Sequence, residues 1–568
     1  MISASCWVPR GFASEFPEKY ELDEEEMARI EEMANLQIAG AKSDLNEAEE
    51  QANINTTNLK TEIEQDDDLK EYDLENYDND PVDENGEPIT MFPGLSNTAA
   101  TYHKKNDEGD HYISLPTEKD VAEEKAEMQV YPTDNMILAT RTEDDVSYLD
   151  VYIYDDGAGA PMGAEEEDGD KLDNDVARGF VRENNLYIHH DLMLPSFPLC
   201  VEWMSFKPNG LNDESNVGNF AAVGTFDPTI EIWNLDSIDK AFPDAILGEN
   251  EFENNKKKSK KNKKKGKSNT HVTTHHTDAV LSLSHNKTFR NVLASTSADS
   301  TVKLWDLTNC KVARSMNSIH QGKHVSSSQW FQDASGIDNG SILLTGGYDS
   351  YCCVSDVRIS EESSMSQKYK VGHSSGEEIE AVKWASNGSS IFYAGTDQGN
   401  VYCFDAKVQN KPLWTLHAHD SGISTLESNS FVNDVLVTGA MGEKAIKLWK
   451  VDGGDKGKGP SMVLSRDFGC GNVLSTSFAP DIEVAGNLVI GGANSGLKMW
   501  DCFSNRSVRS SFKTQLRDLQ IRAREDAKKL GRASRIARKY NENYSETVME
   551  AEMGADDDED EDEDEELE

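Results

Sequence analysis

Nine lysines fall within the twelve residues Lys256–Lys267 (KKKSKKNKKKGK): Lys256, Lys257, Lys258, Lys260, Lys261, Lys263, Lys264, Lys265 and Lys267. Such charge density cannot bury an apolar core, so the segment reads as a solvated loop that attracts phosphates or directs nuclear import. A lysine ammonium is a point charge without base-edge preference, so nucleic-acid binding here would be sequence-blind and salt-sensitive. A second basic stretch, Arg506–Lys539, holds 12 basic and 3 acidic residues. Its Leu516, Leu519, Ala523, Ala527, Leu530, Ala533 and Ala537 recur at steps of three and four, which predicts an amphipathic helix with basic flanks. Two uses are open to it. The helix docks on its own domain with solvated charges, or Arg517, Arg522, Arg524, Lys528, Lys529, Arg532, Arg535 and Arg538 engage phosphates or an acidic protein surface.

Residue types suited to covalent or metal chemistry are not arranged for it. The pairs His189–His190 and His275–His276 lack further ligands at metal spacing, so structural roles are expected and no metal or cofactor is. The Gly491–Gly496 string falls in a hairpin turn and not ahead of a helix, so it is no phosphate loop. No nucleophile–base–acid set stands out, so neither catalysis nor a small-molecule substrate is expected. The eight cysteines (6, 200, 310, 352, 353, 403, 470 and 502) form no CxxC pair and fall mostly in predicted strands. They read as reduced core thiols of a cytosolic or nuclear chain. No apolar run approaches the ~20 residues that span a bilayer, and the first residues lack a secretory pattern.

The elements that position these segments repeat. Thr229–Asn234 (TIEIWN), Thr301–Asp306 (TVKLWD), Tyr351–Asp356 (YCCVSD), Asn400–Asp405 (NVYCFD), Ala445–Lys450 (AIKLWK) and Gly496–Asp501 (GLKMWD) end alike, and Asp150–Asp155 (DVYIYD) makes a seventh. Alternating apolar and polar residues closed by an aromatic and a polar residue describe a half-buried strand reaching a turn. The aromatic-equivalent positions Tyr154, Trp233, Trp305, Ser355, Phe404, Trp449 and Trp500 are spaced by 79, 72, 50, 49, 45 and 51 residues. A four-stranded blade takes ~40–45 residues, so the pattern predicts an all-β, seven-bladed propeller with insertions in the two long gaps. Asp227, Asp299, Asp349 and Asn494 each precede a closing position by six residues, where Asp and Asn suit the hairpin between second and third strands. Trp7, Trp233, Trp305, Trp449, Trp500, Asp227, Asp299 and Asp349 are thus structural candidates.

Blade one lacks an inner strand directly ahead of its second. Ile2–Gly11 shares Ala, Trp and Gly positions with Ile379–Gly388, so residues 2–8 are assigned that strand. The alternative is an inner strand near Met128–Pro132 behind a disordered start. The resulting organisation is 1–11 inner strand, 12–130 acidic and largely disordered with a short helix at Leu22–Ala41, and 131–512 propeller. Residues 513–550 form the basic helix and 551–568 an acidic tail. Within the propeller lie an acidic loop, 156–185, and the Lys-rich loop, 249–270. First-to-second and third-to-fourth loops share one face of an antiparallel blade. The acidic extensions are therefore expected there, with the Lys-rich loop and the chain's exit near Phe512 on the other.

The net charge of -48 is unevenly placed. Glu15–Glu84 carries 25 acidic and 5 basic residues, and Asp556–Glu568 adds 12 acids without a base. The folded part is therefore much less acidic than the whole, and nucleic acid is not excluded. Leu22–Ala41 either binds a partner groove or solubilises, and the tail reads as solvating.

The Trp-ending strands resemble those of WD-repeat proteins. The start, Ile2-Ser3-Ala4 then Cys6-Trp7-Val8-Pro9-Arg10-Gly11 before an acidic stretch, adds a more specific likeness. With the Lys-rich insertion, basic helix and acidic tail, the whole chain resembles the periodic tryptophan protein 1 family of WD-repeat ribosome-assembly factors. Ser355 and Phe404 depart from the Trp pattern. The resemblance implies a non-catalytic nucleolar and nuclear scaffold for the large (60S) subunit. Its implied partners are pre-rRNA in pre-60S particles, assembly factors and ribosomal proteins, with no membrane. The residues alone also admit a chromatin or histone-binding propeller, or a ligase substrate receptor.

Overall fold

The computed structural model describes residues 1–20, 101–103, 112–114, 128–144, 146–156, 184–248, 271–332, 340–372, 376–386, 390–408, 411–451, 459–494, 496–529, 534–540 and 546–551. It divides into Met1–Lys19 with Met128–Glu568, and Tyr20–Glu127. In the second unit Thr101–His103 pairs antiparallel with Tyr112–Ser114. The helix proposed at Leu22–Ala41, the Lys-rich loop and the acidic tail from 552 onward lie outside the described residues.

The first unit is a seven-bladed β-propeller of four-stranded antiparallel sheets. Blade one takes Ile2–Val8 as its inner strand, followed outward by Asn135–Glu143, Val146–Asp155 and Asn185–Leu194. Blades two to six follow in chain order from Pro198–Met204 to Ser461–Asp467. Blade seven starts with Val473–Phe478, Asn487–Gly492 and Lys498–Asp501. The apolar side chains of each closing strand enter clusters shared by adjacent blades, so the core is a ring of inter-blade wedges.

One device repeats around that ring. All seven inner strands carry a bulge just past their first residue, as between Ile2 and Ala4 and between Ile379 and Ala381. A bulge raises local twist, which turns each blade against its neighbour. The bulged Ser3 and Ser424 hydroxyls donate to the first inner carbonyl of the next blade, Pro198 O at 2.8 Å and Val473 O at 2.6 Å. That first inner residue also needs room. A Cβ on Gly346, Gly395 or Gly439 would meet Ile379, Ile423 or Val473 at 2.6–2.7 Å. At the ring's closure a Cβ on Gly491 of blade seven would meet Ile2 of blade one at 2.6 Å. Trp7 Nε1 donates to Ser477 O at 3.0 Å, as Trp330 does to Ser284 O and Trp384 to Gln329 O. The displaced N-terminal strand therefore makes the same contacts as an inner strand in the middle of the chain.

The end of the propeller differs from the expected boundary at 512. After Lys498–Asp501 the chain passes through a 3-10 turn, Cys502–Ser504, helix Arg506–Ser511, helix Lys513–Lys529 and a short turn, Ile536–Lys539. It then returns as Val548–Glu550, which pairs with Lys498–Trp500 as the outer strand of blade seven. The basic helices are an insertion between third and fourth strands. Without the return, Lys498–Asp501 would be a bare edge, which sheets avoid. The assignment of charge to faces changes accordingly. A third-to-fourth insertion leaves from the face where Val146–Asp155 ends, whereas the outer strand Val548–Glu550 ends on the opposite face.

Candidate interaction surface

Asn505 starts the insertion by accepting from Ser507 N (2.9 Å) and Val508 N (3.4 Å) at the first helix's N-terminus. Phe512 is buried, with Lys450 Nζ 5.5 Å from its ring centre and donating to Ser511 O at 2.8 Å. The second helix then lays Leu516, Leu519 and Ala523 against the blade six and seven core, beside Phe503, Val508 and Ile536, and buries Ala527. Its sequence period is therefore spent on docking. The exposed sides carry Lys513, Arg517, Arg524 and Lys528 on one flank and Arg522 and Lys529 on the other, with Asp518, Ile521 and Glu525 between them.

These cations are not equivalent. Arg522 donates to Phe431 O, and Lys529 pairs with Asp526 at 2.8 Å. Lys513, Arg517, Arg524 and Lys528 make no ion pair or hydrogen bond among the described residues. At 3.6 residues per turn these four share an arc of about 60°, forming one row along the helix. Lys513 belongs to this row, although the apolar period alone had not singled it out. Its spacing of four from Arg517 was the available signal.

Arg535 is withdrawn from any partner. Its side chain is 16% exposed and lies 3.6 Å from Asp156, which also receives Arg10 Nη2 at 2.7 Å. Arg10 Nε donates to Asn135 Oδ1 (2.7 Å), and Asn135 Nδ2 to Asp481 Oδ2 (2.8 Å). Glu483 accepts from the Arg535 and Ile536 backbone amides, while Lys539 pairs with Asp501 at 2.9 Å. This latch joins blade one, blade seven and the insertion. Two mostly buried guanidiniums converge on one carboxylate, and the acidic groups around them make up the charge balance. Expecting Arg535 to contact a polyanion is thus corrected by its burial and pairing. Arg532, like Lys256–Lys267, lies outside the described residues; Arg538 sits in the Ile536–Lys539 turn, its side chain undescribed.

The structural candidates form clasps within blades. His276 sits between Asp299 (3.0 Å) and Ser295 Oγ (2.7 Å), and Ser295 Oγ accepts from Trp305 Nε1 at 2.8 Å. Burial alone would raise the Asp299 carboxyl, but hydrogen bonds from His276, Thr301 and the Thr277 amide outweigh it and hold it well below the usual range. Blade four repeats the clasp with His320, Asp349 and Thr345, with Ser355 in place of the tryptophan. Blade six uses His419, Glu443, Thr438 and Trp449. Trp500 Nε1 donates to Glu546 of the insertion at 3.0 Å. Asp227 has no such histidine partner among the described residues; its amide donates to Thr225 Oγ1 at 3.1 Å in an exposed hairpin. His189 and His190 face each other through Nδ1 atoms at 2.9 Å, and His189 Nε2 reaches Met128 O at 3.0 Å. No group of three or more potential metal ligands occurs among the described residues.

Blade two replaces the histidine clasp with Glu231, which accepts from Trp233 Nε1 at 3.1 Å. Burial pushes its carboxyl up to about 7, against the opposing pull of the Trp233 bond. The folded chain thus holds this proton more tightly than the unfolded chain. Stability from this group is full below the ordinary carboxylate range and is lost as pH rises through about 7. Glu231→Gln keeps the acceptor and removes the titration. It is expected to stabilise the protein by about 2–3 kcal/mol at pH 8 and by almost nothing at pH 4, read from thermal unfolding at both values. An equal gain at the two pH values would contradict this assignment.

Seven blades of four strands, three of them closed by a His–Asp/Glu–Ser/Thr clasp, define a WD-repeat β-propeller scaffold. The family model described as "WD domain, G-beta repeat" matches residues 267–306 and 410–450. The chain is 57% identical to "Periodic tryptophan protein 1" of Saccharomyces cerevisiae, over 96% of this chain and 95% of that protein. It is 36% identical to an uncharacterized WD repeat-containing protein of Schizosaccharomyces pombe (91% and 92% covered), and 30% identical to "Periodic tryptophan protein 1 homolog" of Drosophila melanogaster (80% and 84%). The chain belongs to the periodic tryptophan protein 1 family.

Proposed function

We propose that this propeller is a non-catalytic scaffold in nucleolar assembly of the large ribosomal subunit, holding pre-rRNA and assembly factors together within pre-60S particles. The observation that carries the reading is the docked helix. Its apolar face is used up against blades six and seven, and a row of cations without partners among the described residues remains on a rigid ledge. A rigid basic row suits a phosphate backbone, which supplies most of the affinity in sequence-blind nucleic-acid binding. The nine lysines of Lys256–Lys267 would add a second phosphate-binding segment or direct nuclear import. Propeller rims and loops offer many rigidly placed attachment points for protein partners.

Native purification of the full chain from nuclear extract, with and without RNase, tests the reading. Large-subunit precursors should co-purify and their recovery should fall on RNase treatment. Histones retained without any rRNA would replace the proposal with a chromatin role.

A further inference from the structure

Resting on the RNA-binding reading above, we propose that the cation row on helix Lys513–Lys529 straddles the shallow groove of double-helical RNA. Helical rise places Lys513 and Arg517 about 6 Å apart along the axis, Arg517 and Arg524 about 10.5 Å apart, and Arg524 and Lys528 about 6 Å apart. Two close pairs thus flank one wider gap. With the helix laid across a groove, one pair meets the backbone on each side and the gap spans the groove between the two strands. A single strand followed by a row of cations would call for even spacing and for aromatic faces on which bases stack. The solvent side of this helix has no aromatic residue; Ile521, 46% exposed, is its large apolar side chain and falls in the gap.

A convex helix enters a wide, shallow groove more readily than a deep, narrow one, and in RNA the shallow groove displays ribose 2′-hydroxyls. Gln520 sits in the same gap, half-buried. One of its amide N–H groups goes to Ile536 O at 3.3 Å, which leaves its carbonyl oxygen to accept from a hydroxyl. Asp518 and Glu525 lie on the outermost side of the helix, roughly 60–110° around the axis from the row, so the backbone is steered to the flank that carries the row. The row is already rigid. Leu516, Leu519, Ala523 and Ala527 hold the helix down and Arg522 ties it to Phe431 O, so little ordering is left to oppose binding. An acidic protein fits less well, because one exposed isoleucine is a poor core for a protein interface.

The test uses the full chain with Lys256–Lys267 deleted, so that the Lys-rich loop does not mask the row. Fluorescence anisotropy would compare a labelled ~20-base-pair RNA duplex, one of its strands alone, and the DNA duplex of the same sequence. The RNA duplex is expected to bind at least about tenfold tighter than either. Arg517→Glu with Arg524→Glu should weaken duplex binding about tenfold or more and lower the salt-dependence slope by roughly two phosphate contacts, with the melting temperature unchanged. Equal or tighter binding of the single strand or the DNA duplex would overturn the groove assignment while leaving RNA binding intact. Failure of every RNA, with and without the Lys-rich loop, would instead remove the RNA-binding reading. A double variant that binds duplex normally but loses an acidic protein from RNase-treated particles would assign the row to that protein.

Discussion

A chain ending at Phe512 is expected to yield no stable propeller. The cut removes Val548–Glu550, so Lys498–Asp501 loses its outer partner, and it removes Leu516, Leu519, Ala523 and Ile536 from the blade six and seven core. It also removes Glu546, which binds Trp500 Nε1 at 3.0 Å and pairs with Arg466. Fully burying one leucine or isoleucine is worth about 1.5–3 kcal/mol, so the apolar loss alone exceeds about 5 kcal/mol. That is comparable to the whole stability of an ordinary domain. Thermal unfolding and soluble yield would report it. Replacing 514–545 with a short Gly-Ser linker, while keeping 546–551, should recover part of the loss by restoring the strand. A chain cut at 512 that melts cooperatively within a few degrees of the parent would show that the insertion is dispensable.

Trp7→Ala is expected to destabilise by about 3–5 kcal/mol, the range for emptying a buried aromatic site. Trp7 is 6% exposed, packs with Ile2, Ile137 and Val489 at the junction of blades one and seven, and donates to Ser477 O. No strand crosses this junction, since each of the two blades is complete with its own four strands. Side-chain packing, the Ser5–Ser475 contact at 2.7 Å and the Arg10–Asp156–Arg535 latch close the ring instead. The substitution should therefore act locally as well as globally. Amides of Val473–Phe478 and Ile2–Val8 should lose hydrogen-exchange protection before those of blades three to five. Trp384→Ala, at an equivalent site flanked by chain-continuous blades, should lower stability comparably without exposing the blade one–seven junction. Uniform loss of protection in both variants would argue against a distinct seam.

The repeat was legible in the sequence because each blade reuses one physical solution. Trp305, Trp449 and Trp500 mark the same place in the third strands of blades three, six and seven, and Asp299 and Asp349 mark the hairpins ahead of the third strands of blades three and four. The inner strand at residues 2–8 was readable for the same reason, since Trp7 stands where Trp384 stands. Val548–Glu550 carried no such mark. Three residues cannot show an alternation, and the helices ahead of them place the strand far from its partners in the chain. The basic helix was legible as an amphipathic period, but which cations remain free was not. Lys529 could be paired with Asp526 at i,i+3, but Asp156 and the Phe431 carbonyl are brought to Arg535 and Arg522 only by the folded arrangement.

The contact between Trp7 and Ser477 has a consequence for the timing of synthesis. The two residues are 470 positions apart, so the inner strand of blade one emerges long before the surface that covers its tryptophan exists. At roughly 5–20 residues per second, that interval lasts about 25–95 s. Throughout it, Ile2 and Trp7 lack their blade seven neighbours, and blade one cannot reach its final packing. Completion of the ring is thus a late, single event in the life of the nascent chain, and Ile2–Val8, made long before blade seven, is among the last strands to be sheltered from aggregation.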